Sequence, residues 1–505
     1  MFAKKYVLLM ALALLMAAAL FGGVPTVRCV DPDDAGCFAT IQAAVDASAS
    51  GDEVEVRLPG DGRPYNESVT IGVADLTVYG SESVTFEVDT FEELQAVDFD
   101  AEKAQCSPVT IDPCDSSACQ AGPTFEITAP GVTIQRLTTR FSQAFLRLEG
   151  DVDGVTLEDS CFIKGASFIE ALSSGEETPD NLTIRRNRAY SAFRGSDIHG
   201  NGLNFSWNLL RRHDGLDIVG DDATVRSNFQ FLTEDGFGFH VIGRATQMLD
   251  NISKKTTGYG LLLEGDNVTV TGNLVEAVAP RTRHASGIRI AAIGDAADDP
   301  QPVPASNATV EGNTIRNTFG PGLILETDDS SATQNVIEST GSPQIEQTRR
   351  AAALEVLGSR NQVRNNTVRR SGGIGIVVGG GSFATDNNVI GNNTVEDSST
   401  SGIVIVSGGR TRAQNNTLTG SDGEGFGNLA AAQLTSFIGN MLSGNRMDLC
   451  NCGSLLDLSG NTFATGGSSQ ACVVERDAIA DGCPESLFVD DFESGDFSRW
   501  SASQP

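Results

Sequence analysis

The sequence predicts an all-β fold, a solenoid of short parallel strands stacked coil on coil in one domain. Three observations carry that expectation. Asparagines recur at near-constant intervals, at 187, 208, 228, 251, 273, 313, 335, 366, 393, 416, 440 and 461, mostly 20 to 24 residues apart. Short stretches of alternating apolar and polar residues flank each one, as in Val268-Thr269-Val270-Thr271-Gly272-Asn273. Glycine-led strands of the same alternation follow, such as Gly215-Leu216-Asp217-Ile218, Gly287-Ile288-Arg289-Ile290 and Gly402-Ile403-Val404-Ile405. Period-two alternation rich in β-branched residues makes half-buried strands. Glycine and asparagine between them allow sharp bends.

A unit this small cannot bury its own apolar face, so the units must stack on one another. Asparagines at one bend then form a ladder. Asn-x-Ser/Thr stretches such as Asn267-Val268-Thr269 are therefore bends, not glycosylation acceptors. The gaps 273–313, 335–366 and 366–393 predict inserted loops or skipped coils. About a dozen coils are expected.

This pattern resembles the right-handed parallel β-helix repeat of pectate lyases, polygalacturonases and many exported bacterial proteins, the pectate-lyase-like superfamily. The resemblance covers roughly residues 38–465. It implies a single-stranded solenoid with a short N-terminal capping helix, for which Phe38 to Ala47 has the apolar spacing, at Ile41, Ala44 and Val45. Val54 to Leu58 and Glu67 to Ile71 are the expected first strands. Trp207 sits in an apolar alternation and is assigned to the core.

Residues 1–25 have the features of a secretory signal peptide: Lys4 and Lys5, an apolar run from Tyr6 to Phe21, then small residues. The β-helix domain is placed at 26–480, with a disulfide-bearing loop at 89–122. Residues 481–505 form a short acidic-aromatic tail, similar to a C-terminal motif of some exported bacterial proteins. Ten cysteines in an exported chain predict at least three disulfides, with Cys450 or Cys452 bonded to Cys472 or Cys483. A metal site at Cys450-Asn451-Cys452 is not expected, since no histidine lies near. The net charge of −31 excludes non-specific nucleic-acid binding. The expected protein is secreted or extracellular, monomeric and off the membrane once its signal is cleaved.

All four histidines, His199, His213, His240 and His284, lie between 199 and 284. Lys254, Lys255, Arg211, Arg212, Arg281 and Arg283 share that stretch. Bends of successive coils stack, so these residues are expected to form one lateral patch. In it Asp214, Glu234 and Asp235 act with His213, Arg211 and Lys254 as catalytic groups. Arg212, Lys255, Arg281, Arg283 and Arg289 bind substrate. Paired carboxylates suit glycoside hydrolysis; a base with positive charge beside it suits elimination from a uronate. No protein metal site is assigned, and calcium bridging carboxylates to a uronate is the one cofactor considered. Taken singly, His199 and His240 are expected to be structural.

His213-Asp214-Gly215-Leu216-Asp217 resembles the first acidic motif of polygalacturonases, and Gly287-Ile288-Arg289-Ile290 their Arg-Ile-Lys. Tyr259 replaces the expected histidine in Gly258-Tyr259-Gly260, and Ala291 replaces the lysine. The expected partner is thus an extracellular, acidic polysaccharide, with lyase or hydrolase activity. The alternative is a non-catalytic surface or matrix protein that binds glycans or serves as a rigid rod.

Overall fold

A computed structural model describes residues 25–464 and 472–473, apart from 83–85, 87, 114–121, 151, 173–177, 234–236, 280–284, 294–304, 342–351 and 381–384. Residues 1–24 of the expected signal segment, the acidic-aromatic tail, Cys114, Cys119 and Cys483 lie outside the described residues.

The chain is a parallel β-solenoid with three faces. The first face is one continuous sheet of 17 strands, from Val27–Val30 to Leu455–Asp457, more coils than the dozen expected. Every pairing in it is parallel, and register is kept, as in Thr224↔Gln247↔Thr269, until a shift at the last pair, where Thr435 faces Leu455 and Ser436 faces Asp457. The second face begins just after each ladder asparagine, for example Leu209–His213, Phe229–Phe231 and Ile252–Lys254. The third face holds the glycine-led strands Leu216–Val219, Phe239–Ile242, Tyr259–Glu264 and Ser286–Ala291. In the early coils three long strands, Thr138–Leu148, Cys161–Ala171 and Arg188–His199, turn the corner between these two faces. The inward side chains form one axial core, with Phe205, Val225, Met248, Val270 and Val310 stacked on the first face.

All twelve predicted asparagines form one ladder. Each Oδ1 accepts the backbone N–H of the ladder residue one coil earlier at 2.8–3.1 Å, from Ser160 onto Asn187 through to Asn440 onto Asn461. Each Nδ2 along the run from Asn187 to Asn440 donates to the next Oδ1. Buried polar groups left unpaired are costly, so the ladder satisfies a corner that water cannot reach. Asn273 bonds Asn313 directly, so the wide gap is an insertion within a coil and no coil is skipped.

The bend itself is made by the residue before the asparagine. Arg186, Trp207, Ser227, Asp250, Gln334, Asn365, Asn392 and Asn415 all adopt φ between 54° and 59° there. Trp207 is accordingly not core. It is half-buried at the corner and packs on an outer apolar cluster.

The N-terminal cap forms as expected. Ile41–Asp46 is a helix, Thr40 caps it, and Ile41, Ala44 and Val45 are buried. Val27–Val30 adds a strand outside the expected repeat and pairs with Glu53–Val56. The expected loop at 89–122 contains two short helices, Phe91–Gln95 and Phe99–Ala104. They strap the second face through Phe99, Leu94 and Val88 against Tyr190, Leu209, Phe229 and Ile252. Cys106 is bonded to Cys161, outside that loop. Buried Arg188 meets Glu102 at 2.7 Å beneath the strap. Cys29–Cys37 is a second disulfide, and Cys452 is disulfide-bonded as well.

Candidate functional site

The structure divides the predicted lateral patch. Arg211 and Lys254 lie on the outer side of the second face, in one register column with Phe231 and Glu276. Arg211 bonds Asp100 of the strap at 2.7 Å and lies over Phe99. Lys254 lies over Phe229 and pairs with Glu276 at 3.7 Å. Arg316 joins Glu276 at 3.2 Å, and further along Arg369 joins Glu396 at 2.9 Å. These cations belong to an alternating charge ladder that ties coils together.

Arg212 and Lys255 are exposed bend residues with φ of 53° and 55°, and Lys255 lies over Phe231. His213 is fully buried inside the solenoid, with Nε2 2.9 Å from Ser196 Oγ. Burial pushes its imidazole down to about 3, so it stays neutral and cannot reach a substrate. Asp214 is partly accessible at the following bend. Glu234, Asp235, Arg281, Arg283 and His284 lie outside the described residues. Among the described residues, Arg289 is the one predicted group that joins the cluster described next.

That cluster occupies the outward column of the third face. The register places Arg147, Glu170, Asp197, Asp217, His240, Leu262, Arg289, Ile324 and Glu355 on successive coils. Neighbouring members lie one coil, about 4.8 Å, apart. His240 is wedged between two carboxylates, with Nδ1 2.6 Å from Asp217 and Nε2 3.3 Å from Glu264. Burial alone would lower its pKa, but the bonds to Asp217 and Glu264 win and raise it to about 9. His240 is therefore an imidazolium at neutral pH. His199 Nε2 lies 3.0 Å from Asp197. Burial raises the Asp197 carboxyl despite His199, and the nearby Asp217 charge adds to the rise. The Asp197 and Asp217 side chains remain 52% and 48% exposed, and His240 13%.

Aromatic rings border the column. Phe237 stacks on Tyr259 with centroids 5.6 Å apart and planes 14° apart, and sits 5.0 Å from His240. Arg289 donates to the Tyr259 hydroxyl at 3.0 Å and to Glu326 at 2.7 Å. One coil group further on, burial and then the Glu326 charge push Glu355 up to about 7. Among the described residues no group of three or more histidine, cysteine or carboxylate side chains has a metal-holding arrangement.

Residues 236–447 match a family model described as a right handed beta helix region. The chain is a right-handed parallel β-helix repeat protein. No curated protein matches this β-helix in sequence. Solved structures resemble it at low identity. Tailspike protein 3 of bacteriophage CBA120 is 10% identical at a TM-score of 0.40, covering 88% of this chain and 61% of that one. The A-module of mannuronan C-5 epimerase AlgE6 of Azotobacter vinelandii is 15% identical at 0.36, covering 84% and 94%. The catalytic unit of a GH87 α-1,3-glucanase from Streptomyces thermodiastaticus strain HF3-3 is 15% identical at 0.39, covering 87% and 70%. The β-helix thus spans about 61% of the tailspike's length, and no activity is transferred to it from these structures.

Asp197, His199, Asp217, His240, Glu264, Glu326 and Glu355 escaped the sequence reading as site residues. A signal for the column was present. In each glycine-led strand the residue two places after the glycine points outward, giving Asp197, Asp217, His240 and Arg289 after Gly195, Gly215, Gly238 and Gly287. The glycine is needed because that corner is filled from the second face. A Cβ on Gly260 would lie 2.3 Å from Val275 Cγ1, and one on Gly322 2.4 Å from Ile337 Cγ2. Aligning the bends instead of these glycines drew attention one strand too early, to Arg211, His213 and Asp214.

Proposed function

We propose that this β-helix hydrolyses glycosidic bonds of an extracellular polysaccharide laid along its third face. The observation that carries the reading is the pair Asp197 and Asp217. They are half-exposed, adjacent in register and in different surroundings: one raised by burial, the other bonded to an imidazolium. Two carboxyl groups whose environments push them apart are suited to act as acid and as nucleophile. Asp197 gives its proton to the glycosidic oxygen as the bond to the anomeric carbon breaks. Asp217 bonds to that carbon, held in its ionised form by His240. Water then attacks the glycosyl–Asp217 ester, returns its proton to Asp197 and frees the sugar. One coil spacing of about 4.8 Å leaves little room for a water between the carboxylates, which favours retention of configuration. Phe237 provides a ring against which a sugar can stack.

The disulfides support an oxidising compartment, in keeping with an extracellular substrate. The second reading is a non-catalytic glycan-binding rod, favoured by the axial charge ladder that stiffens the second face. A screen of purified protein against neutral, amino and uronate glycans separates the two. The expected result is new reducing ends without absorbance near 235 nm, abolished at least about 1,000-fold by Asp197→Asn or Asp217→Asn. Cleavage that survives both substitutions would move the site elsewhere. Binding without cleavage would leave the rod.

A further inference from the structure

The column continues beyond the reacting pair, and its charges decide what kind of chain can lie on it. On its N-terminal half the outward residues are Glu126, Arg147, Glu170, Asp197, Asp217 and His240, each paired with the next coil's member. Each cation there is committed to a carboxylate of the face itself. Arg147 bonds Glu170 at 2.7 Å, and His240 bonds Asp217 and Glu264. Among the described residues of this half, none of the column's cations is left to meet a uronate or sulfate. The balance is negative, and its most accessible anion is half-exposed Asp217, beside which the Asp197 carboxyl, even in its proton-donating form, can accept a hydrogen bond from an amine.

An extended polysaccharide repeats on about the same scale as one coil of a β-helix, about 4.8 Å. A chain parallel to the axis therefore presents one sugar to each carboxylate in turn. Phe237, half-exposed beside His240, adds a ring face that attracts cations as well as sugar C–H groups. We infer that the third face takes a glycan whose units carry free amines, a polymer of de-N-acetylated hexosamine, and rejects uronates. The inference rests on the reading of this face as the glycan site, and it replaces the acidic polysaccharide expected from the basic bends. Of those basic residues, Arg211 and Lys254 lie on the second face, paired with Asp100 and Glu276.

Binding, measured apart from cleavage, tests it. Glucosamine hexamers, their N-acetylated counterparts and hexagalacturonate are titrated calorimetrically into the full chain at physiological ionic strength. The amine hexamer is expected to bind at least about tenfold more tightly than the acetylated one, with the uronate not binding. A polycation is attracted by any protein of net charge −31. The control is therefore the double variant Asp197→Asn with Asp217→Asn, which changes that total little but should abolish the preference. Equal binding of amine and acetylated hexamers, tighter binding of the uronate, or an unchanged preference in the double variant would overturn the inference. Amine binding without release of reducing ends would uphold the ligand class and remove the hydrolase. Hydrolysis with no amine preference would do the reverse.

Discussion

His240 keeps its charge because two carboxylates outweigh the cost of burying it. Its pKa, raised to about 9, makes a prediction about pH. A group whose folded pKa lies above its unfolded value of about 6.5 stabilises the fold fully below the lower value. That contribution is lost as pH rises from about 6.5 through about 9. Wild-type protein should therefore lose roughly 3 kcal/mol across this window relative to His240→Gln, in which the titration is absent. Denaturant melts at a series of pH values measure it. Parallel curves for the two proteins would show that Asp217 and Glu264 do not hold an imidazolium. His213 is the contrasting residue. The same side chain on the second-face strand of the preceding coil, facing inward, is neutral beside Ser196. The direction of the side chain, not its place in the sequence, separates the two roles.

At the scale of the coil, the asparagine ladder fixes the corner. Asn228 Oδ1 accepts from both the backbone and the side chain of Asn208, while its Nδ2 donates to the Phe205 carbonyl and to Asn251. Asn228→Ala strands these partners out of reach of water and should cost roughly 3 kcal/mol. Asn461→Ala, at the exposed end of the ladder, should cost no more than about 1 kcal/mol. Urea denaturation of both variants checks the contrast, and equal losses would mean that the ladder adds nothing beyond ordinary surface bonds. This element was legible in the sequence, because a repeated buried asparagine has few other uses. The strap was not. Phe91–Gln95 and Phe99–Ala104 are too short to stand out by periodicity, and their partners, Tyr190 and Phe229, are more than 80 residues away. The site column was legible only in part. Its spacing follows the glycines, but whether Asp217 or Asp214 faces outward into a cluster depends on which residues border the corner.

Over the whole molecule, two electrostatic effects oppose each other along the axis. Ion pairs such as Arg316–Glu276, Arg369–Glu396 and Arg360–Asp329 join adjacent coils, and salt weakens them. Each is partly exposed, and such pairs contribute at most about 1 kcal/mol. Against them stands the self-repulsion of a chain with 66 acidic and 35 basic side chains. The stacked coils hold like charges at fixed, short intervals, which the unfolded chain relaxes by expanding. Repulsion of this kind acts over every pair within a Debye length, about 10 Å at 0.1 M salt, which spans two coils in either direction. It therefore sums along the solenoid, while the paired contacts stay local. Raising the salt from about 10 mM to about 300 mM should then raise the melting temperature by several degrees, because screening removes more repulsion than attraction. Calorimetry across that range, with chloride as the only variable, decides the sign. A falling melting temperature would show that the coil-to-coil ion pairs, not the apolar core and the asparagine ladder, set the stability of the stack.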